Sequence, residues 1–157
     1  MKNISGLFGA VVLIVMLFVS PGVSLASDPA PDFSLQDLNG TTITLSQFKN
    51  KKSVMMIFWT TWCPFCQEQL KVIQSRFNEI IKDGIEILAI DVQERQNKII
   101  SFVRNRKFPF KVLLDNDAEV AGKYGLFGVP TYVIVDKSGN IVYKDNIFPE
   151  YKKLLGL

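Results

Sequence analysis

Ser53–Thr60 is an uncharged stretch of β-branched, aromatic and sulfur side chains, and a helix-type pattern follows it almost at once. The stretch reads as a buried strand. Beyond it, Leu70, Ile73, Phe77, Ile80 and Ile81 recur at amphipathic spacing, which predicts a helix over residues 64–82 closed by Asp83-Gly84. A strand that runs directly into a long helix puts whatever lies at the joint on the helix N-terminus. Here the joint is Trp62-Cys63-Pro64-Phe65-Cys66, and it holds both cysteines of the chain.

Backbone N–H groups in a first helical turn have no intrahelical partner, and the macrodipole there favours negative charge. A thiol at that point ionises more readily, and the thiolate is its reactive form. Cys66 follows nearly one turn later, close enough to close a disulfide. A purely structural bridge would tie distant segments, because its stabilisation comes largely from closing a long loop. Structural zinc takes four Cys or His ligands, and the chain has no histidine and no third cysteine. Haem attachment through Cys-x-x-Cys-His fails at Gln67. The pair therefore reads as a dithiol/disulfide redox site, with no metal and no cofactor expected beyond it. Position predicts Cys63 as the exposed nucleophile and Cys66 as the shielded resolver.

Residues 1–26 stand apart in composition. Lys2 gives a positive start, Leu7–Val19 is unbroken by polar side chains, Pro21-Gly22 ends the run, and Ser24 and Ala26 suit a signal-peptidase site. An apolar core this short matches a secretory signal and falls below the ~20 residues that span a bilayer. The expected organisation is a signal peptide, or an uncleaved anchor tethering the protein to the membrane, over 1–26 and one domain over 27–157. Export places the domain in the periplasm or on the outer face of the cytoplasmic membrane, where disulfides persist. A net charge of +3 is too modest to imply a nucleic-acid partner, and Lys49–Lys52 reads as a solvated turn.

The remaining pattern alternates strands and helices. Segments 33–35 and 41–45 flank the hairpin signal Asn39-Gly40, and 46–49 suits one helical turn. Strands are expected at 85–90 and 111–114, with a helix over 97–106 between them. A short helix over 117–123 would be capped by Asn116 or Asp117. Segments 132–135 and 141–143 flank a second hairpin, and 149–155 makes a short final helix. Such an order describes an α/β fold with a mixed sheet.

These landmarks together resemble the thioredoxin superfamily, and within it the exported TlpA/ResA-like branch. The resemblance runs from Ala30 to about Leu155 and is carried by Ala30–Leu35, Asp37–Gly40, Leu45-Ser46, Phe58–Cys66, Gly128–Thr131 and Asp136–Gly139. It implies a thioredoxin-like fold: a central mixed sheet flanked by helices, with an N-terminal β-hairpin extension. It further implies thiol–disulfide exchange with protein substrates, a membrane redox partner, and a task such as cytochrome c maturation. Trp62, Pro64 and Phe65 would frame the cysteines. Pro130 would be cis beside the reactive sulfur, and Val129 would offer its backbone to a substrate chain; proline tolerates cis far better than other residues.

The chain also departs from its relatives' patterns. Ile57 stands where classical thioredoxin has a buried aspartate, and Gln69 where ResA-like chains carry a glutamate. Glu68 is one position away and so faces elsewhere on the helix. Glu94 matches a second acid of the branch and is a proton-handling candidate, although by its own sequence context it reads as a surface carboxylate. The short final helix is expected to leave part of a sheet face open. Two other functions share parts of the pattern. Ala30–Leu35 also opens peroxiredoxin-like chains, but these place a proline and a threonine seven and three positions before the cysteine; Thr60 fits and Met56 does not. Copper-delivery proteins of similar fold space their cysteines differently and add a histidine.

Overall fold

Seven residues of unbroken burial make β3 (Ser53–Trp59) the centre of the molecule. In the computed structural model, which describes residues 28–157, β3 pairs in parallel with β4 (Ile85–Val92) and antiparallel with β6 (Thr131–Val135). The expected leader over 1–26 lies outside the described residues. β5 (Lys111–Asp115) extends the sheet beyond β4, and β1 (Ser34–Asp37), β2 (Thr42–Thr44) and β7 (Ile141–Asp145) complete it. The order is β2-β1-β5-β4-β3-β6-β7. Four helices accompany it: α1 (Pro64–Lys82), α2 (Gln96–Arg104), α3 (Glu119–Lys123) and α4 (Tyr151–Leu155).

Strand side chains alternate between faces, so β3 divides the core in two. Met55, Ile57 and Trp59 meet Leu70, Ile73 and Ile80 of α1, Ile99 of α2 and Tyr151 of α4. Val54, Met56 and Phe58 meet Phe33, Leu45, Phe48 and α3 on the other side. The first group also contains Cys63 and Cys66, which fixes the face of the sheet on which the cysteines lie.

The N-terminal hairpin joins the sheet through β1, antiparallel to β5. Its turn is held by the Asp37 carboxylate, which accepts from the amides of Asn39 and Thr41, each at 2.8 Å. Gly40 adopts φ 81° there, a conformation that costs glycine nothing. The single turn after β2 is a 3-10 helix over Leu45–Phe48.

Two expectations need correction. Neither Asn116 nor Asp117 is the principal cap of α3. The fully buried Asp115 accepts from the amides of Val120 and Ala121 at 3.1 and 2.8 Å, and Asp117 reaches only the Glu119 amide at 3.2 Å. Asp115→Ala, which strips two buried amides of their charged acceptor, is expected to cost about 2 kcal/mol or more in urea denaturation. Nor does the short α4 leave the sheet bare: the Phe148 ring packs at 5.6 Å from Tyr132 and 6.4 Å from Tyr151, and every residue of β6 is buried.

Candidate active site at the β3–α1 junction

The site begins where β3 stops hydrogen bonding as a strand and Cys63 caps α1. Cys63 takes an extended conformation (φ −88°, ψ 107°), Pro64 opens the first turn, and the Cys66 amide donates to Cys63 Sγ at 3.1 Å. Proline suits that position, since its missing N–H would have had no partner there. Cys63 and Cys66 are joined in a disulfide, with Cα atoms 5.2 Å apart.

Burial separates the two sulfurs less than expected. Cys66 is fully enclosed, and Cys63 is itself only 6% exposed rather than open to solvent. The exposure belongs to its neighbours Trp62 (66%) and Phe65 (78%), which stand as an aromatic rim around the disulfide.

A second loop closes over Cys63. The Val129–Pro130 peptide bond is cis, and the Val129 carbonyl oxygen lies 3.8 Å from Cys63 Sγ. Two hydrogen bonds hold the loop in shape: Asn146 Nδ2 donates to the Pro130 carbonyl at 2.6 Å and the Thr131 hydroxyl to the Gly128 carbonyl at 2.7 Å. Phe127, which the sequence reading did not single out, is fully exposed on the same loop. A bulky aromatic wholly in water is the signal that marks it.

Glu94 is not a surface carboxylate. It is buried, accepts from both the amide and the hydroxyl of Thr61, and pairs with Lys98 of α2. Burial opposes its charge, but the Lys98 and Thr61 donors outweigh that and hold Glu94 below the usual carboxylate range. Thr61 is in turn tied to α1, because Gln67 Nε2 donates to its carbonyl at 3.0 Å. Glu94 therefore grips the loop that carries Cys63.

Beside it lies an acid the sequence reading missed. Asp91 is 1% exposed, sits in register with Trp59 across the β3–β4 ladder, and is pushed up to about 8 by burial and by the Glu94 carboxylate. Its signal was present in the alternation of β4, where Ile85, Ile87 and Ala89 mark the core face and Asp91 takes the next place on it. At the other two positions where the resemblance implied acids the side chains are neutral: Ile57 is fully buried, and Gln69 Oε1 accepts from the Tyr132 hydroxyl at 2.9 Å. Glu68 points away and pairs with Lys71 at 2.8 Å. Among the described residues no cluster of three or more His, Cys, Asp or Glu side chains could hold a metal, and no helix is long and apolar enough to cross a membrane.

Comparison with known proteins adds a family to this geometry. The model of the AhpC/TSA family matches residues 26–144. The thiol-disulfide oxidoreductase ResA of Bacillus subtilis (strain 168) is 33% identical over 120 residues, which are 76% of this chain and 66% of that protein. The ResA of Bacillus thuringiensis subsp. konkukian (strain 97-27) is 33% identical over 113 residues, 72% of this chain and 65% of its own length. The chain thus spans about two thirds of these relatives. Among solved structures, the thioredoxin domain of a thiol-disulfide oxidoreductase from Bacteroides vulgatus superposes with a TM-score of 0.69 at 27% identity, covering 78% of this chain and 89% of that one.

Proposed function

Because the chain belongs to the AhpC/TSA family, and within it resembles ResA, we propose that it is an extracytoplasmic thiol–disulfide oxidoreductase acting on protein substrates. The observation that carries this reading is the seating of Cys63 as the N-cap of α1, with Cys66 bonded to it one turn on and the Val129 carbonyl over its sulfur.

In the reduced protein the Cys66 amide and the helix N-terminus favour negative charge on Cys63 Sγ. That thiolate attacks a substrate disulfide and expels one substrate sulfur, leaving a mixed disulfide. Cys66 then attacks Cys63 Sγ, closes the internal disulfide and releases the reduced substrate. A membrane-bound dithiol partner returns the protein to its reduced form, and the same steps reversed oxidise a substrate dithiol. The Cys63–Cys66 pair is the only redox group the cycle uses. Trp62, Phe65 and Val129 border the sulfur and would meet the substrate chain. Export through residues 1–26 supplies the location, and apocytochrome c is a substrate of the expected kind, an exported chain with a closely spaced cysteine pair.

The thiol peroxidase alternative finds only half of its site, since Met56 stands at the proline position and packs on the opposite face of the sheet from Cys63. Insulin reduction by dithiothreitol, with and without the protein, separates the two. Catalysed precipitation of insulin without accelerated peroxide loss is the expected result; peroxide consumption without insulin reduction would overturn the proposal.

A further inference from the structure

Apolar side chains scattered singly over a surface are ordinary, and their position carries meaning only when they gather. Here they gather. The four most exposed large apolar side chains among the described residues are Phe127, Phe65, Ile147 and Trp62, and all four stand at one end of the sheet. Register fixes that end: Phe58, near the close of β3, pairs with Thr131 at the start of β6, and Tyr132 pairs with Asp145 at the close of β7. Trp62 and Phe65 follow β3, Phe127 precedes β6, and Ile147 follows β7. Contacts tie the three segments together. The Val129 carbonyl oxygen lies 3.8 Å from Cys63 Sγ, Asn146 Nδ2 donates to the Pro130 carbonyl at 2.6 Å, and the Tyr143 hydroxyl donates to the Ile147 carbonyl at 2.8 Å.

Between the Phe127 loop and the end of β7 lies a cleft of about 350 Å³, lined in part by Leu126, Phe127, Gly128, Thr131, Lys144 and Asn146. It has room for a bulky side chain. Its charged groups are already engaged: Lys144 Nζ donates to the Tyr124 carbonyl at 3.1 Å, and the Asp145 carboxylate accepts from the Asn146 amide at 2.6 Å. One charge of each sign gives the cleft no net field with which to select a charged ligand, whereas the Phe127 ring is wholly open. Phe127 lies two residues from Val129, and an extended chain advances about 3.3 Å per residue. A substrate chain lying along Val129 with its cysteine at Cys63 therefore brings a residue about two places from that cysteine to the cleft.

We propose that Phe127, its cleft and the neighbouring Ile147 form a subsite that selects substrate chains carrying a large apolar side chain about two residues from the reacting cysteine. This inference rests on the thiol–disulfide reading above. The substrate is an unfolded or extended segment, because a folded protein keeps most such side chains in its own core. Seating a substrate phenylalanine against Phe127 and Ile147 removes apolar area from water on both partners, and contact between the two rings adds to the gain. A small polar disulfide can reach Cys63 but gains nothing from either side chain. The two residues thus choose among substrates, while the exchange of bonds stays with the cysteines.

The test uses three peptides as symmetric disulfides, each joined through its single cysteine. One carries phenylalanine two residues before the cysteine, one carries it two residues after, and one has serine at both places. Oxidation of the reduced protein by each, which releases two peptide thiols, is followed by acid quenching, alkylation and mass spectrometry. At subsaturating peptide the wild-type protein is expected to react about ten-fold or more faster with one of the phenylalanine peptides than with the serine peptide. Phe127→Ser should bring that ratio below about three-fold, Ile147→Ser should lower it in part, and Phe127→Leu should keep most of it. Both side chains are exposed, so the variants leave the core packing intact, and a ratio of two substrates on one protein cancels any general loss of rate. A ratio near one in the wild type would overturn the proposal, and if that protein sediments as a dimer that Phe127→Ser dissociates, the cleft belongs to a second copy. An unchanged ratio in Phe127→Ser would overturn it too, by giving the selection to Trp62 and Phe65. Failure of all three peptides and of glutathione disulfide to oxidise the wild-type protein would instead sink the thiol–disulfide reading itself.

Discussion

Cys66→Ser protein, expressed as the full chain, is expected to accumulate covalent adducts with other proteins, whereas Cys63→Ser is expected to accumulate none. Cys66 is fully enclosed while Cys63 keeps a small opening beside Val129, so only Cys63 can be reached by an incoming disulfide. Without Cys66 the reaction stops after the first exchange, and the adduct survives until an outside thiol cleaves it. Without Cys63 there is no first exchange, and insulin reduction falls to background, a loss of about a thousand-fold or more. Non-reducing gels of acid-quenched cells, followed by mass spectrometry of the reducible bands, make the measurement. Equal trapping by the two variants would show that the order of attack is wrong. Bands containing exported proteins would support the proposed location as well.

The expectation of an exposed Cys63 was too simple because it used position alone. A helix tip is open only if nothing folds over it, and the loop through Val129 comes from sixty-six residues away. Local pattern did fix α1, whose observed span of Pro64–Lys82 is the predicted one. Both ends of that helix are written in local chemistry: proline in the first turn, Asp83-Gly84 at the close, and an apolar stripe between them. The cap of α3 was missed for the opposite reason. Asn116 and Asp117 look like caps, but Ala118 turns left-handed at φ 58° and brings the helix back over Asp115, at the end of β5. Glu94 was misread because its burial depends on Thr61, which is distant in sequence and adjacent only once β3 and β4 pair. Asp91 could have been found, since period-two alternation already assigned its position to the core. The expected strand ended at Ile90, whereas the ladder continues to Val92.

Replacing Asp91 with asparagine is expected to stabilise the fold at neutral pH, an effect that grows as pH rises. Asp91 is pushed up to about 8 in the folded protein, while in the unfolded chain it titrates as an ordinary aspartate. Between those two values the folded state binds the extra proton, so stability decreases with rising pH. The contribution is fully present below the unfolded value and is lost as pH climbs through the folded one. Asparagine keeps the size of the side chain and can donate to Glu94 as the protonated acid does, yet it has no proton to lose. The difference between the two proteins should be small near pH 4 and reach about 2 kcal/mol or more by pH 7. Urea denaturation of the oxidised proteins at several pH values measures it directly. A constant difference across that range would mean that Asp91 does not carry its proton in the folded state.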